Sequence, residues 1–111
     1  MTRLWKCNVC GYIHEGDQAP NECPKCGAPK EKFSVLSSHD TDKILKADRT
    51  NTLHMELAAA CEKLMELCQE GIDLNLDPGC LVTFEKGKQE LKVIKQRCKA
   101  EIATHVEKSK W

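Results

Sequence analysis

Cysteine is the residue type in this 111-residue chain whose spacing most directly implies chemistry. Cys7-Asn8-Val9-Cys10-Gly11 is followed, after twelve intervening residues, by Cys23-Pro24-Lys25-Cys26-Gly27. Two residues between cysteines let both sulfurs of one turn reach the same ion, and two such turns complete a tetrahedron of thiolates. The glycine after each second cysteine is free to take positive φ, which leaves the turn's N–H groups pointing at the sulfurs they stabilise. The expected metal ligands are therefore Cys7, Cys10, Cys23 and Cys26, and tetrahedral all-sulfur geometry suits iron and zinc alike.

An even cysteine count in a short chain also fits a secreted disulfide framework. The opening Met-Thr-Arg-Leu-Trp-Lys has no apolar stretch of signal-peptide length, and the longest purely apolar run is Leu57 to Cys61. The expectation is a cytoplasmic protein with no membrane span, where paired cysteines serve as ligands. With 17 basic against 17 acidic residues and no basic run interleaved with aromatics, nucleic acid is not an expected partner.

The module that must position these thiolates spans residues 1–36. It holds three of the four prolines and no helical periodicity, the pattern of loops and short strands. So small a segment cannot fold on an apolar core alone, so metal binding must supply much of its folding free energy, with Trp5, Tyr12, Ile13 and Phe33 packed around the turns.

The run Trp5-Lys6-Cys7-Asn8-Val9-Cys10-Gly11-Tyr12-Ile13-His14-Glu15-Gly16, continued through Ala19-Pro20 and Cys23-Pro24-Lys25-Cys26-Gly27-Ala28-Pro29-Lys30 to Phe33, resembles the rubredoxin-type domain of rubrerythrins. The twelve-residue gap is similar to the short rubrerythrin form. The resemblance implies a single iron held by Cys7, Cys10, Cys23 and Cys26, alternating between ferric and ferrous states and exchanging one electron with a redox partner the sequence does not identify. Zinc is the alternative occupant, in a zinc-ribbon protein whose helices mediate interaction. The resemblance stops before rubrerythrin catalysis, since a di-iron bundle needs Glu-x-x-His pairs and this chain has none: Glu101 and His105 are four apart, and His54 has no glutamate three before it. An electron carrier or binding module is expected rather than an enzyme.

Residues 37–39, with Ser37 and Ser38, read as a hinge, and residues 40–111 as a helical hairpin. Leu53, Leu57, Ala60, Leu64 and Leu67 recur at helical spacing and are expected on a buried face. Asn75-Leu76-Asp77-Pro78-Gly79 breaks the pattern, and a second run carries Cys80, Phe84, Leu91, Ile94, Cys98, Ile102 and Val106, with Gly87 interrupting it. Residues 40–77 have nine acidic and four basic side chains, residues 80–110 four and eight, so the two runs attract as an antiparallel pair. Two helices cannot cover so long a stripe. The expected fold class is thus a small metal-stapled, rubredoxin-like domain of short β-strands and loops followed by an α-helical hairpin that becomes a four-helix bundle on homodimerisation. The alternative is a three-helix monomer in which the first run breaks near Thr50-Asn51-Thr52. Cys61 and Cys68, seven residues and about 10 Å apart on one helix face, read as buried free thiols. A second site across the helices, from Cys61, Cys98 and His54, is geometrically permitted. His14 and His39 read as exposed loop residues.

Overall fold

A computed structural model describes residues 3–111, so Met1 and Thr2 of the expected 1–36 module lie outside the described residues. The chain divides into two compact units, one up to Leu45 and one from Lys46 to Trp111. Helix α1 begins at Ser38, inside the segment read as a hinge, and the boundary between units falls within that helix.

The N-terminal unit is a three-stranded antiparallel sheet in the order β2-β1-β3, from β1 (Leu4–Cys7), β2 (Ile13–Glu15) and β3 (Phe33–Val35). Strand β1 is central: Trp5 pairs with His14 on one side and Val35 on the other, and Cys7 pairs with Phe33. Strands this short cannot hold register by ladder bonds alone. Side chains fix it: Cys7, Ala19, Cys23 and Phe33 form the buried cluster, with Trp5, Cys10, Tyr12 and Ala28 against it. The Trp5 indole N–H donates to the Gly16 carbonyl at 3.0 Å, satisfying the polar end of a half-buried ring. His14 is half-buried and His39 exposed.

Ser37 caps α1 (Ser38–Leu74), its hydroxyl accepting from the Asp40 N–H at 3.0 Å. The helix runs unbroken through Thr50-Asn51-Thr52, which removes the three-helix alternative. It ends as Asn75 takes φ 44° and its N–H reaches back to the Gly71 and Ile72 carbonyls. After Leu76, Asp77 caps α2 (Pro78–Glu107), accepting from the Cys80 N–H at 2.8 Å with Pro78 in the first helical position. The break expected at residues 75–79 thus ends one helix and starts the next, and Gly87 lies inside a continuous α2.

The helices lie antiparallel, as the contacts between them show: a Cβ placed on Gly71 would meet Phe84, Gln69 accepts from Lys88, Glu62 pairs with Lys95, and Asn51 meets His105. The residues facing α2 are Asn51, His54, Ala58, Cys61, Met65, Cys68 and Ile72, all buried or half-buried. Leu53, Leu57, Leu64 and Leu67, expected inside, are instead 46, 48, 45 and 60% exposed. Two heptad-spaced rows compete along α1, and the row of smaller side chains faces α2, where Gly71 allows the Phe84 ring to lie against the helix backbone. Leu91 and Ile102 are half-buried as expected, while Ile94 and Val106 are exposed.

Candidate metal centre

Each half of the centre is one tight turn, and the two turns repeat bond for bond. The Cys7 N–H donates to the Tyr12 carbonyl at 2.8 Å and the Gly11 N–H to the Cys7 carbonyl at 2.9 Å. In the second turn the Cys23 N–H donates to the Ala28 carbonyl at 2.8 Å and the Gly27 N–H to the Cys23 carbonyl at 2.9 Å. Gly11 and Gly27 take φ values of 82° and 76°, a region that strains any residue with a Cβ. Glycine at these two places is what lets the chain turn back under its own cysteines.

The turns bring all four Sγ atoms within 4.8 Å of one another, the only such set of three or more metal-ligating groups among the described residues. Cys7 Sγ lies 3.7 Å from Cys26 Sγ, and Cys10 Sγ 3.6 Å from Cys23 Sγ. A tetrahedron with metal–sulfur bonds of about 2.3 Å has sulfur–sulfur edges of about 3.8 Å, so the thiols already stand at the spacing a tetrathiolate ion requires. Cys7 and Cys23 are buried, Cys10 is half-buried and Cys26 exposed, so the second cysteine of each turn forms the outer edge.

The electrostatics of the site also favour a cation. The N–H of Cys10, helped by that of Val9, draws Cys7 below the ordinary thiol value of 9.0 against the opposing effect of burial. Burial pushes Cys23 up, but the N–H groups of Cys26 and Lys25 outweigh it and bring the thiol down to about 6. At Cys26 the Ala28 N–H acts downward, yet desolvation and the three neighbouring cysteines raise it to about 12. Charge accumulates as thiolates form, and the last proton is the hardest to remove. A cation at the centre relieves that repulsion, so four thiolates and a metal ion are mutually required.

The second site weighed across the helices is not assembled among the described residues. Cys61 and Cys98 are buried, but His54 packs edge-on against His105, with ring centroids 6.2 Å apart, and His105 Nδ1 is engaged by Asn51 Oδ1. Asn51 Nδ2 donates to the Lys110 carbonyl at 2.8 Å. Asn51, a weak helix former and the expected point of a break, is the buried polar clamp at the open end of the hairpin. Its place in the row Asn51, Ala58, Met65, Ile72 was the available signal.

The family model of the rubrerythrin rubredoxin-like domain matches residues 5–34. Reverse rubrerythrin-1 of Clostridium acetobutylicum is 62% identical over 31 residues, covering 28% of this chain and 17% of that protein. Rubrerythrin of Nitratidesulfovibrio vulgaris is 53% identical over 32 residues, covering 29% and 17%. Rubredoxin-2 of Chlorobaculum tepidum is 41% identical over 49 residues, covering 29% of this chain and 94% of that protein. The chain thus spans under a fifth of the length of these rubrerythrins and nearly all of the rubredoxin. No solved structure gives a significant match. The helical remainder is assigned to no family.

Proposed function

Through residues 5–34 the chain belongs to the rubredoxin-like family, and on that premise we propose that it is a one-electron carrier holding a single iron ion in Cys7, Cys10, Cys23 and Cys26. The observation that carries this reading is the set of four sulfurs at tetrathiolate spacing on two glycine-dependent turns. Iron in such a site supplies a ferric/ferrous couple that takes up and returns one electron. Four thiolates saturate a tetrahedral ion, so no position is left for a substrate and the electron passes between this protein and its partner without a bond to the metal.

The protein's own groups set the conditions for that exchange. The amides of Val9, Cys10, Lys25, Cys26 and Ala28 point at sulfur and stabilise its negative charge, which favours the more reduced, more negative state. Trp5, Tyr12 and Phe33 pack around the buried cysteines and keep water from that side. Cys10 and Cys26 reach the surface, with exposed Val9 beside them, so a redox partner docks over that edge. The carrier works in the cytoplasm, where a reducing environment keeps the thiols available.

The second reading is a zinc ion held for structure alone, with the hairpin as the working surface; the same sulfur spacing favours it equally. Visible absorption of protein purified from its native source separates the two. Thiolate-to-iron charge transfer makes the ferric protein red and bleaches on reduction with dithionite. A colourless protein containing one zinc per chain overturns the electron-carrier reading.

A further inference from the structure

The unit from Lys46 to Trp111 is packed with its large aliphatic side chains outward. Its buried residues are Asn51, Cys61, Gly71 and Cys98, none larger than asparagine, while Leu53, Leu57, Leu64 and Leu67 stand exposed. An α-helix turns about 100° per residue, so Leu53, Leu57, Ala60, Leu64 and Leu67 form one stripe, about 21 Å long, beside the face that meets α2. Glu62 and Gln69 lie on the opposite side of that face, each one residue beyond Cys61 or Cys68. They are occupied with Lys95 and Lys88 of α2. One edge of the hairpin is therefore tied by polar side chains and the other is bare leucine, which in an isolated chain leaves its largest apolar groups in water.

The bare edge is complementary to itself. Reversed about Ala60, the stripe maps onto its own positions: Leu53 falls on Leu67, Leu57 on Leu64 within one residue, and Ala60 on itself. The row bordering it on the solvent side is Arg49, Glu56, Lys63 and Glu70, seven residues apart and alternating in sign. The same reversal sets Arg49 against Glu70 and Glu56 against Lys63, each within one residue. Within one chain, Arg49 and Glu56 meet only at 4.0 Å with both side chains largely in solvent, so this row is free to pair elsewhere.

We propose that two copies of this chain associate through α1, antiparallel about a two-fold axis at Ala60, with the leucine stripes interleaved and the Arg49, Glu56, Lys63 and Glu70 rows paired across the interface. The alanine at the axis lets the helices approach closely, and exposed Ile94 of α2 borders the same edge and widens the apolar contact. The contact is isologous and therefore closes as a dimer of two hairpins, a four-helix bundle.

Sedimentation equilibrium on the full metallated chain at tens of micromolar tests this, with far-UV circular dichroism as the check on helix content. The wild type runs as a dimer. Leu57→Asp weakens it about a hundredfold or more with helices retained. Glu56→Lys turns two symmetry-related attractions into repulsions and weakens association about tenfold, and adding Lys63→Glu restores it to within a few-fold of wild type. A helical wild-type monomer, a larger open assembly, or a double charge exchange no tighter than Glu56→Lys alone overturns the proposal.

Discussion

Gly71→Ala should destabilise the hairpin although it replaces glycine with the best helix former in the middle of a helix. On propensity alone the change stabilises by about 1 kcal/mol. The structure opposes it: a Cβ at Gly71 would lie 2.3, 2.4 and 2.6 Å from Cδ2, Cε2 and Cγ of Phe84. Ordinary carbon contact needs about 3.5 Å, so the ring would have to move by more than about 1 Å, and Cγ sits too near the α2 backbone for a rotamer change alone to clear it. Either Phe84 leaves the seam, losing about 2–3 kcal/mol of aromatic burial, or the helices separate at a similar overpacking cost. The net effect is a loss of about 1–2 kcal/mol. Gly87 provides the control, because its added Cβ would meet only Cys68 Sγ at 3.3 Å. Gly87→Ala should therefore range from neutral to about 1 kcal/mol stabilising. Urea unfolding followed at 222 nm, at fixed protein concentration, gives both values. In a Phe84→Ala background the clash is gone and Gly71→Ala should stabilise, a coupling of about 2–3 kcal/mol in the double-mutant cycle. If Gly71→Ala stabilises the wild type as much as Gly87→Ala does, the close approach of Phe84 to α1 is not what selects glycine there.

Cys26→Ser removes one corner of the tetrahedron and should abolish stoichiometric metal binding, leaving the N-terminal strands unfolded while the helices persist; amide exchange and metal analysis read both, and a fully metallated, protected N-terminal unit would refute the four-ligand assignment. The hairpin should also lose stability in acid. The Cys80 N–H, with the Cys80 side chain and the Gly79 N–H, holds the Asp77 carboxyl below its ordinary 3.8. A group depressed on folding contributes stability above its unfolded value that is lost as pH falls through the folded one, so the loss begins below about pH 4. Glu62, depressed by its hydrogen bond and charge pairing with Lys95, adds in the same direction. Asp77→Asn keeps a capping oxygen but cannot titrate, and its urea midpoint should vary less between pH 5 and pH 2.5 than that of the wild type.

The metal turns were legible because their chemistry leaves little choice. Ligand spacing, the glycine after Cys10 and Cys26, and the absence of another way to stabilise so small a module all point to one geometry. The helix break was legible for the same reason, since Asp77 and Pro78 carry local signals of a helix start. The inner face of α1 was not legible. Its leucine row and its Asn-His-Ala-Cys-Met row share one period, and hydrophobicity alone selects the leucines, whereas close helix approach selects the smaller side chains. Thr50, Asn51 and Thr52 looked like a break because each is a weak helix former by a few tenths of a kcal/mol. A buried side chain bonded to the Lys110 carbonyl and to His105 outweighs that preference, and nothing local announces a partner more than fifty residues away.

The thiols of Cys61 and Cys98, 1 and 4% exposed, have a practical consequence. An alkylating reagent cannot reach a sulfur in the seam until the helices part, so each of these residues is a built-in clock for local opening. With opening and reclosing fast relative to modification, the labelling rate gives the opening equilibrium at that level of the hairpin, and at high reagent it gives the opening rate itself. By the register that pairs Glu62 with Lys95, Cys98 lies within about one helical turn of the level of Cys61, so the two clocks report from opposite helices on the same height of the hairpin. Peptide-resolved labelling, set against amide exchange near Asn51, would show whether the hairpin frays from that end or opens as one piece.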